Sequence, residues 1–177
     1  ILDIEFNNTK NNKLSYLKTI KVIEPFSSIN NDIIKINICL FLAEFLSKTL
    51  KIDLKNIQLF EFIKQSLLWF DNCEKAPNFH LLFILKLSDY LGILPKYSSD
   101  ESLFFDIENG IFTNTPLSKK YVKGQVVEDL QNILGIKFDY NNKVLTNLNQ
   151  RKDMLNFLIL YYEFHVSGFI RPKSVDI

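Results

Sequence analysis

Residues 78–92 read NFHLLFILKLSDYLG, and this stretch decides the fold. Apolar side chains occupy almost every position from Phe79 to Leu87. A helix that is apolar on nearly all sides belongs at the centre of a helical bundle. Pro77 suits the first turn of such a helix, and Gly92 suits its end. The stretch therefore predicts a buried central helix over about 78–91 and a mainly α-helical domain.

Four further segments carry apolar residues at helical spacing or helix start and stop signals. They predict helices over about 29–51, 54–72, 119–134 and 149–165. Ser27, Ser28 and Asn31 offer N-cap oxygens for the first of these helices, and Asp53 precedes the second. The chain has only five glycines and five prolines, which favours helices over a turn-rich β-sandwich.

Two stretches predict β-hairpins. Asn109-Gly110 lies between alternating apolar residues of 103–113 and favours a tight two-residue turn, in which both residues need positive φ. Residues 2–23 alternate in the same way around a polar turn at 7–12. A lone hairpin is marginal in water. The N-terminal hairpin is therefore a small β-appendage or the end of a truncated β-domain, and we carry the second interpretation forward because the chain begins with Ile1.

Composition sets the broad class of protein. The length of 177 residues fits one domain, or one domain with a small appendage. The formal net charge of +1 gives by itself no argument for a nucleic-acid partner. No apolar run approaches the roughly 18 residues of a membrane span, and no secretory signal begins the chain. Two distant cysteines form no disulfide framework, so we expect a cytoplasmic protein without a membrane partner.

Candidate ligands for a metal and candidate nucleophiles are few. Cys39, Cys73, His80 and His165 lack the spacing of a zinc site, and no Gly-x-Ser-x-Gly elbow or Gly-rich phosphate loop is present. Cys73 and His80 flank one loop and could pair, but packing is the commoner role for such residues. We predict no metal, no cofactor and no enzymatic activity.

Charge is distributed unevenly along the chain. Residues 117–152 carry seven basic and three acidic side chains, whereas 89–108 carry five acidic side chains against Lys96. The basic stretch is either a surface for phosphates or an acidic peptide, or an ordinary solvated helix surface. The candidate binding residues are Lys119, Lys120, Lys123, Lys137, Lys143, Arg151 and Lys152.

Several segments in combination carry a resemblance to a known family. They are LFLAEFL at 40–46, SLLWFD at 66–71, the central stretch 78–92, FFDIENGIF at 104–112 and YYEFH at 161–165, followed by Gly168-Phe169. In order and spacing, from about Pro25 to the end, the chain resembles the recombination mediator RecO, in the form found in Bacteroidetes. The segments are chiefly core patterns, so they are specific only as a set.

The resemblance implies an N-terminal OB-fold followed by a helical domain. Residues 1–25 would be the last strands of a truncated OB-fold, and 26–177 the helical RecO C-terminal-like domain. Many members of the family carry a four-cysteine zinc site between the third helix and the hairpin. This chain has no cysteine there, so the resemblance does not extend to zinc. The expected fold class is mainly α, a helical bundle with a small β-hairpin insertion, preceded by the OB-fold remnant.

The resemblance also implies partners. Proteins of this family bind single- and double-stranded DNA, the acidic C-terminal tail of the single-strand-binding protein, and RecR; they anneal strands and help to load RecA. Such a tail needs an apolar pocket with nearby cations. Arg151 and Lys152, beside the apolar run Met154, Leu155, Phe157 and Leu158, are our candidates for the tail. Lys119, Lys120 and Lys123 are candidates for phosphates. The alternative is a non-enzymatic helical scaffold for protein interactions that does not bind nucleic acid.

Overall fold

The computed structural model describes residues 1–7, 16–50, 55–96, 102–138 and 144–175. Its elements in chain order are the strands β1 (Leu2–Asn7) and β2 (Tyr16–Val22), the helices α1 (Ile33–Thr49), α2 (Ile57–Asn72) and α3 (Phe79–Tyr90), the strands β3 (Phe104–Asp106), β4 (Ile111–Thr113) and β5 (Tyr121–Lys123), the helices α4 (Gln125–Ile133) and α5 (Leu148–His165), and a 3-10 turn (Lys173–Val175). The prediction of a mainly helical fold is confirmed.

Helix α3 lies at the centre of the core, as the sequence predicts. Eight of its twelve residues are buried. The ring of Phe79 stacks on that of Phe70 in α2, with centroids 4.1 Å apart. From α5, the Tyr162 hydroxyl donates to the Ile84 carbonyl at 2.8 Å. Phe41 of α1 meets the His80 ring edge-on, with centroids 6.1 Å apart, so three helices contact α3.

The predicted start of α1 is wrong by four residues. The helix begins at Ile33, where the Asp32 side chain caps the first turn. Ser27 and Ser28 do not cap it, because their hydroxyls donate to Asp71 and their amides donate to its carboxylate at 2.8 Å each. The Asn31 side chain instead donates to the main-chain oxygen of Ser27. A contact with a residue more than forty positions away thus explains why two of the three predicted caps do not form.

Helix α2 begins at Ile57, and Asn56 is its N-cap, with its side-chain oxygen accepting from the Leu59 amide at 2.9 Å.

Some predicted features lie outside the described residues. They are Asp53, Lys143, residue 51, most of the turn predicted at 7–12, and residues 141–142. At the other end of the domain, Glu44 of α1 accepts hydrogen bonds from the Lys173 and Ser174 amides, which fastens the 3-10 turn to the bundle.

The helix predicted over 119–134 begins later than expected. Tyr121–Lys123 is strand β5, paired antiparallel with β3, and α4 starts only at Gln125. Gly124, with φ of 75°, separates the two elements. A positive φ is incompatible with a continuous right-handed helix and is readily adopted by glycine. Gly124 within residues 119–134 was a signal in the sequence that the helix begins later, and the helix prediction did not use it.

The strands around Asn109-Gly110 are confirmed, but the two-residue turn is wrong. β3 and β4 pair from Phe104↔Thr113 to Asp106↔Ile111, which leaves four residues in the connection. Within the described residues Gly110 has a φ of 65°, while Asn109 is absent from those with positive φ. The Asp106 side chain accepts from the Asn109 amide, and its main-chain oxygen accepts from Gly110. These two bonds favour the wider turn. With β5, the insertion is a three-stranded sheet in the order β4-β3-β5.

The N-terminal hairpin is present as predicted. Its register places three apolar pairs on one face, because Leu2, Ile4 and Phe6 lie opposite Val22, Ile20 and Leu17. All six side chains are exposed. Glu24, directly after the hairpin, forms an ion pair of 3.5 Å with Lys64 of α2. Within the described ranges, no helix has the length and apolar character to cross a membrane.

Candidate binding surfaces

A large concavity lies between α2, α3 and the segment after α4. We call it the α2–α3 groove, and its volume is about 920 Å³. Its lining consists of Gln58, Glu61, Phe62, Gln65, Ser66, Trp69, Leu82, Leu85, Lys86, Asp89, Tyr90, Leu94 and residues 133–138. Helix α3 contributes both apolar and charged residues, so the groove exposes one side of an otherwise buried helix.

Two stacked pairs of aromatic rings line the α2–α3 groove. Phe62 and Tyr90 stack with centroids 4.7 Å apart, and Trp69 and Phe138 stack at 5.2 Å. Phe62, Trp69 and Phe138 are half-buried, and Tyr90 is 40% exposed. Flat apolar surface of this kind accepts an aromatic or aliphatic side chain.

Four charged side chains accompany the rings. Lys86 and Lys137 oppose Glu61 and Asp89, so the charge of the groove is balanced. The Lys86 ammonium lies 5.6 Å from the centroid of the Phe138 ring. Burial lowers the pKa of Lys86, Asp89 opposes that change, and Lys137 adds to it. An anion bound between the two lysines would relieve their repulsion. The groove is therefore suited to an apolar side chain next to one or two carboxylates, and not to a long polyanion.

Several residues of the predicted tail site on α5 make structural contacts. Arg151 donates to the main-chain oxygens of Leu145 and Thr146, at 2.9 and 3.3 Å. This guanidinium thus fastens the segment that precedes its own helix. Of the apolar run that follows, Met154, Phe157 and Leu158 are buried in the core, and Leu155 is half-buried. Lys152 is exposed beside them. Phe157 also lines a smaller concavity of about 380 Å³, together with Lys123 and Leu160.

The other predicted lysines fall in two places. Lys119, Lys120 and Lys123 are exposed together on the β-insertion, with Lys120 lying 6.0 Å from the Phe164 ring centroid. Lys137 lines the α2–α3 groove. Lys123 lines a different concavity, beside Asp153 of α5, and Lys143 lies outside the described residues.

The sequence analysis missed most of the groove. Lys86, Trp69, Phe62, Tyr90 and Phe138 were not among the candidates. One signal was available: Lys86 is a charged residue in a helix that is otherwise buried almost throughout. The aromatic residues gave no separate signal, because rings at helical spacing are usually core residues.

The remaining candidates have structural roles. The Cys73 thiol donates to the Lys75 carbonyl at 3.4 Å, and the His80 ring lies edge-on to Phe41 at 6.1 Å. His165 contacts the main-chain oxygen of Ile107 at 2.7 Å. In the part of the chain that the structure describes, no three His, Cys, Asp or Glu side chains come together as metal ligands would.

Comparison with known proteins identifies a family whose members are similar to this chain. The family model described as "Recombination protein O C terminal" matches residues 30–174. A curated relative from Christiangramia forsetii, named DNA repair protein RecO, is 35% identical over 99% of this chain and 74% of its own length. Relatives of the same name from Flavobacterium johnsoniae and Bacteroides fragilis are 36% and 31% identical over 100% of this chain, and over 74% and 75% of their own lengths. No solved structure gives a significant match.

Proposed function

The chain belongs to the RecO family of DNA repair and recombination proteins, and from this premise we propose that it acts by binding, without breaking covalent bonds. It would hold DNA, the C-terminal tail of the single-strand-binding protein and RecR, and so promote strand annealing and RecA loading. The observation that carries the proposal is the α2–α3 groove, because it combines exposed aromatic surface with two cations on a domain of this family.

The groove supports a tail as its occupant. An acidic tail that ends in an aromatic residue brings one ring and a few carboxylates. The ring would lie against Trp69 and Phe138, whose own rings stack at 5.2 Å. Its carboxylates would contact Lys86 and Lys137, and charge-assisted contacts of this kind are about twice as strong as neutral ones. Glu61 and Asp89 would repel the more distant acidic residues, so the terminal residues would make the main contacts.

Arg151 and Lys152 support a different role. Since Arg151 already donates to two carbonyls, it is held near the start of α5 and adds positive charge there. We propose that these two residues, Lys143 and the lysines of the β-insertion contact phosphates. Phosphate contacts position a protein on DNA, and they need exposed cations rather than a pocket.

The N-terminal hairpin supports the division into residues 1–25 and 26–177. Six exposed apolar side chains on one face of two strands are costly in water. We propose that this face packs within an OB-fold, which binds single strands through aromatic stacking and a basic groove. The alignment covers 74% of these relatives, so about a quarter of their length lies outside it and leaves room for further strands in proteins of this type.

The tail proposal can be tested with the only tryptophan of the chain, Trp69. A labelled acidic peptide with a C-terminal aromatic residue should bind in fluorescence anisotropy and change the Trp69 emission. Lys137→Glu should weaken binding at least about tenfold, because it removes one cation and adds an opposing charge. Lys152→Glu is the matched control and should change affinity by less than about twofold.

A second peptide without the terminal aromatic residue should bind much more weakly. Binding that leaves the Trp69 emission unchanged, survives Lys137→Glu and is lost in the Arg151→Glu, Lys152→Glu double variant would reject the groove. That result would return the tail site to the start of α5, where the sequence analysis placed it.

A helical scaffold without nucleic-acid binding is the second candidate function, and the balanced net charge favours it. Salt dependence separates the two. Single-stranded DNA should bind with an affinity that falls steeply with salt, because counterions are released. Replacing Lys119, Lys120 and Lys123 by Glu should lower the slope of log affinity against log salt by about 2. If the unmodified chain shows no DNA binding at roughly 50 mM salt, the scaffold is the correct description.

A further inference from the structure

The connection between β4 and β5, residues 114–120, is a rigid loop built on one buried carboxylate. Asp106 is fully buried. It accepts hydrogen bonds from the Leu117 amide at 2.9 Å, the Ser118 amide at 2.8 Å and the Ser118 hydroxyl at 2.9 Å. We call this connection the 114–120 loop. Its middle is thus fixed to the sheet and does not depend on side chains in solvent.

Both ends of the 114–120 loop are fixed as well. At its start, the Thr115 amide donates to the Thr113 hydroxyl at 3.0 Å. At its end, the Lys120 amide donates to the Ser118 hydroxyl at 3.1 Å, and the Lys120 carbonyl accepts from the Ile107 amide at 2.9 Å. A loop ordered in advance loses little conformational entropy when a partner binds it.

The 114–120 loop is held by buried hydrogen bonds, but it exposes an apolar side chain and several lysines to solvent. Leu117 is 77% exposed, although its own amide is one of the groups bonded to Asp106. Lys119 and Lys120 follow it, and Lys123 lies on β5; all three are exposed. Residues 113–123 contain these three lysines and no acidic residue. The Leu117 side chain lies on a rigid loop beside three lysines, and because it is exposed it does not contribute to the core.

We infer that the 114–120 loop binds DNA at a duplex end or a junction between single and double strands, where Leu117 covers the last base pair and Lys119 and Lys120 contact the adjoining phosphates. This inference rests on the proposed DNA binding and adds the site and the DNA structure. DNA-binding proteins use leucine among the apolar side chains that lie against or between bases. Asp106 is a positioning residue because it acts through the loop.

The preference for an end follows from the cost of reaching a base. Inside a duplex, a wedge must separate two stacked base pairs, which costs a few kcal/mol per step. At an end or junction one face of the last pair is already open. A single leucine supported by lysines can cover that face without unstacking, so the exposed face of the pair and the Leu117 side chain leave water together.

The test compares three labelled DNAs: a single strand, a blunt duplex and a junction with 2-aminopurine in its last pair. Leu117→Ala should weaken junction binding about tenfold and leave the salt slope unchanged, because only apolar contact is lost. Lys119→Glu with Lys120→Glu should lower the slope instead. Leu103→Ala is the matched control, since Leu103 is 67% exposed just before β3, and it should bind like the unmodified chain.

The 2-aminopurine emission reports on the contact itself. It should change when the unmodified chain binds, and change far less with Leu117→Ala. If the unmodified chain binds DNA with a normal salt slope but Leu117→Ala binds the junction equally well, the inference fails and the proposed function stands. Equal losses on the single strand also overturn it. If the unmodified chain binds no DNA, both fail, and a 114–120 loop that captures an acidic protein becomes the alternative.

Discussion

The buried ammonium of Lys35 donates to the main-chain oxygen of Asp71 at 3.1 Å, while the carboxylate of the same residue accepts amides from residues 27–29 at 2.8 Å each. The same ammonium also donates to the carbonyls of Phe70 and Cys73. Those carbonyls lie at the end of α2, where the helix itself supplies few amide donors; the Cys73 amide reaches the Phe70 carbonyl at 3.3 Å, and the Ser28 hydroxyl donates to that of Asp71. Lys35 therefore closes α2, and Asp71 fastens the chain that leads into α1.

Replacing Lys35 by methionine should destabilise the fold by about 3 kcal/mol, because three carbonyls lose a charged donor inside the protein. Urea denaturation measures the change. Lys48→Met is a suitable control on the same helix, since Lys48 is only partly buried and pairs with Glu44 at 3.6 Å. An ion pair at i,i+4 on a helix contributes about 0.5 kcal/mol or less. Equal effects of the two substitutions would contradict the role of Lys35.

The carboxylate of Asp106 makes stability depend on pH. Burial raises the pKa of Asp106, but hydrogen bonds from Asn109 and Ser118 outweigh this and hold it at about 2, below the ordinary 3.8. The unfolded chain then binds the proton more tightly, so this stabilisation is present above about pH 4 and is lost as the pH falls through about 2.

Asp106→Asn should therefore lower stability at pH 7 by about 2 kcal/mol and reduce the further loss between pH 4 and pH 2. Urea denaturation at pH 7, 4 and 2.5 checks both statements. Glu44 provides the comparison: hydrogen bonds from Ser174 and Lys173 lower its pKa to about 2 as well. Glu44→Gln should reduce the acid loss without altering the 114–120 loop. A pH profile that is identical in Asp106→Asn and the unmodified chain would contradict the assignment.

The central helix could be predicted because its environment is uniform. A helix that is buried on nearly every side needs apolar residues at nearly every position, and α3 has this pattern in its sequence. The caps and the strand β5 could not be predicted in the same way. Ser27 is held by Asp71, and Tyr121 pairs with Asp106, so both depend on residues that are distant along the chain. Local pattern does not contain such contacts.

The same distinction between local patterns and contacts of distant residues explains which candidate sites were predicted. The lysines of the β-insertion were found because they are close together in sequence. The α2–α3 groove was not found, since Trp69 and Phe138 come from segments almost seventy residues apart and meet only through packing. Arg151 was recognised as a cation, but its hydrogen bonds to the Leu145 and Thr146 carbonyls are visible only in three dimensions.

Gly110 is constrained by a close neighbour. A Cβ at this position would lie 2.8 Å from the hydroxyl oxygen of Tyr161, which donates to the Ile93 carbonyl at 2.7 Å. Gly110→Ala should cost about 2–3 kcal/mol, from the positive φ and the displaced hydroxyl together. At Gly92, φ is 72° and no atom lies within 4 Å of such a Cβ. Gly92→Ala should therefore cost only about 1 kcal/mol.

The hydroxyl part of that cost can be isolated by a double-mutant cycle. Tyr161→Phe removes the oxygen that a Cβ at Gly110 would meet, so adding Gly110→Ala to it should cost less than adding Gly110→Ala to the unmodified chain. Thermal or urea denaturation of the four proteins gives the coupling. Strict additivity would mean that the backbone φ alone sets the penalty.

The imidazole of His80 should titrate far below its ordinary range. Burial, and to a smaller extent the charge of Arg151, together lower the pKa of His80 to about 4. Among the described residues its Nδ1 atom is buried and has no hydrogen-bond partner. Because the unfolded value is 6.5, the unfolded chain binds the proton first, and stability falls as the pH drops from about 6.5 towards 4.

NMR titration can resolve this, because the chain has only two histidines. His165, which contacts the Ile107 carbonyl, provides the internal comparison. Arg151→Gln should raise the pKa of His80 while leaving it below 6.5, since burial is the larger cause and remains. A His80 pKa that does not respond to Arg151→Gln would mean that burial acts alone and that the guanidinium charge is screened by solvent at the start of α5.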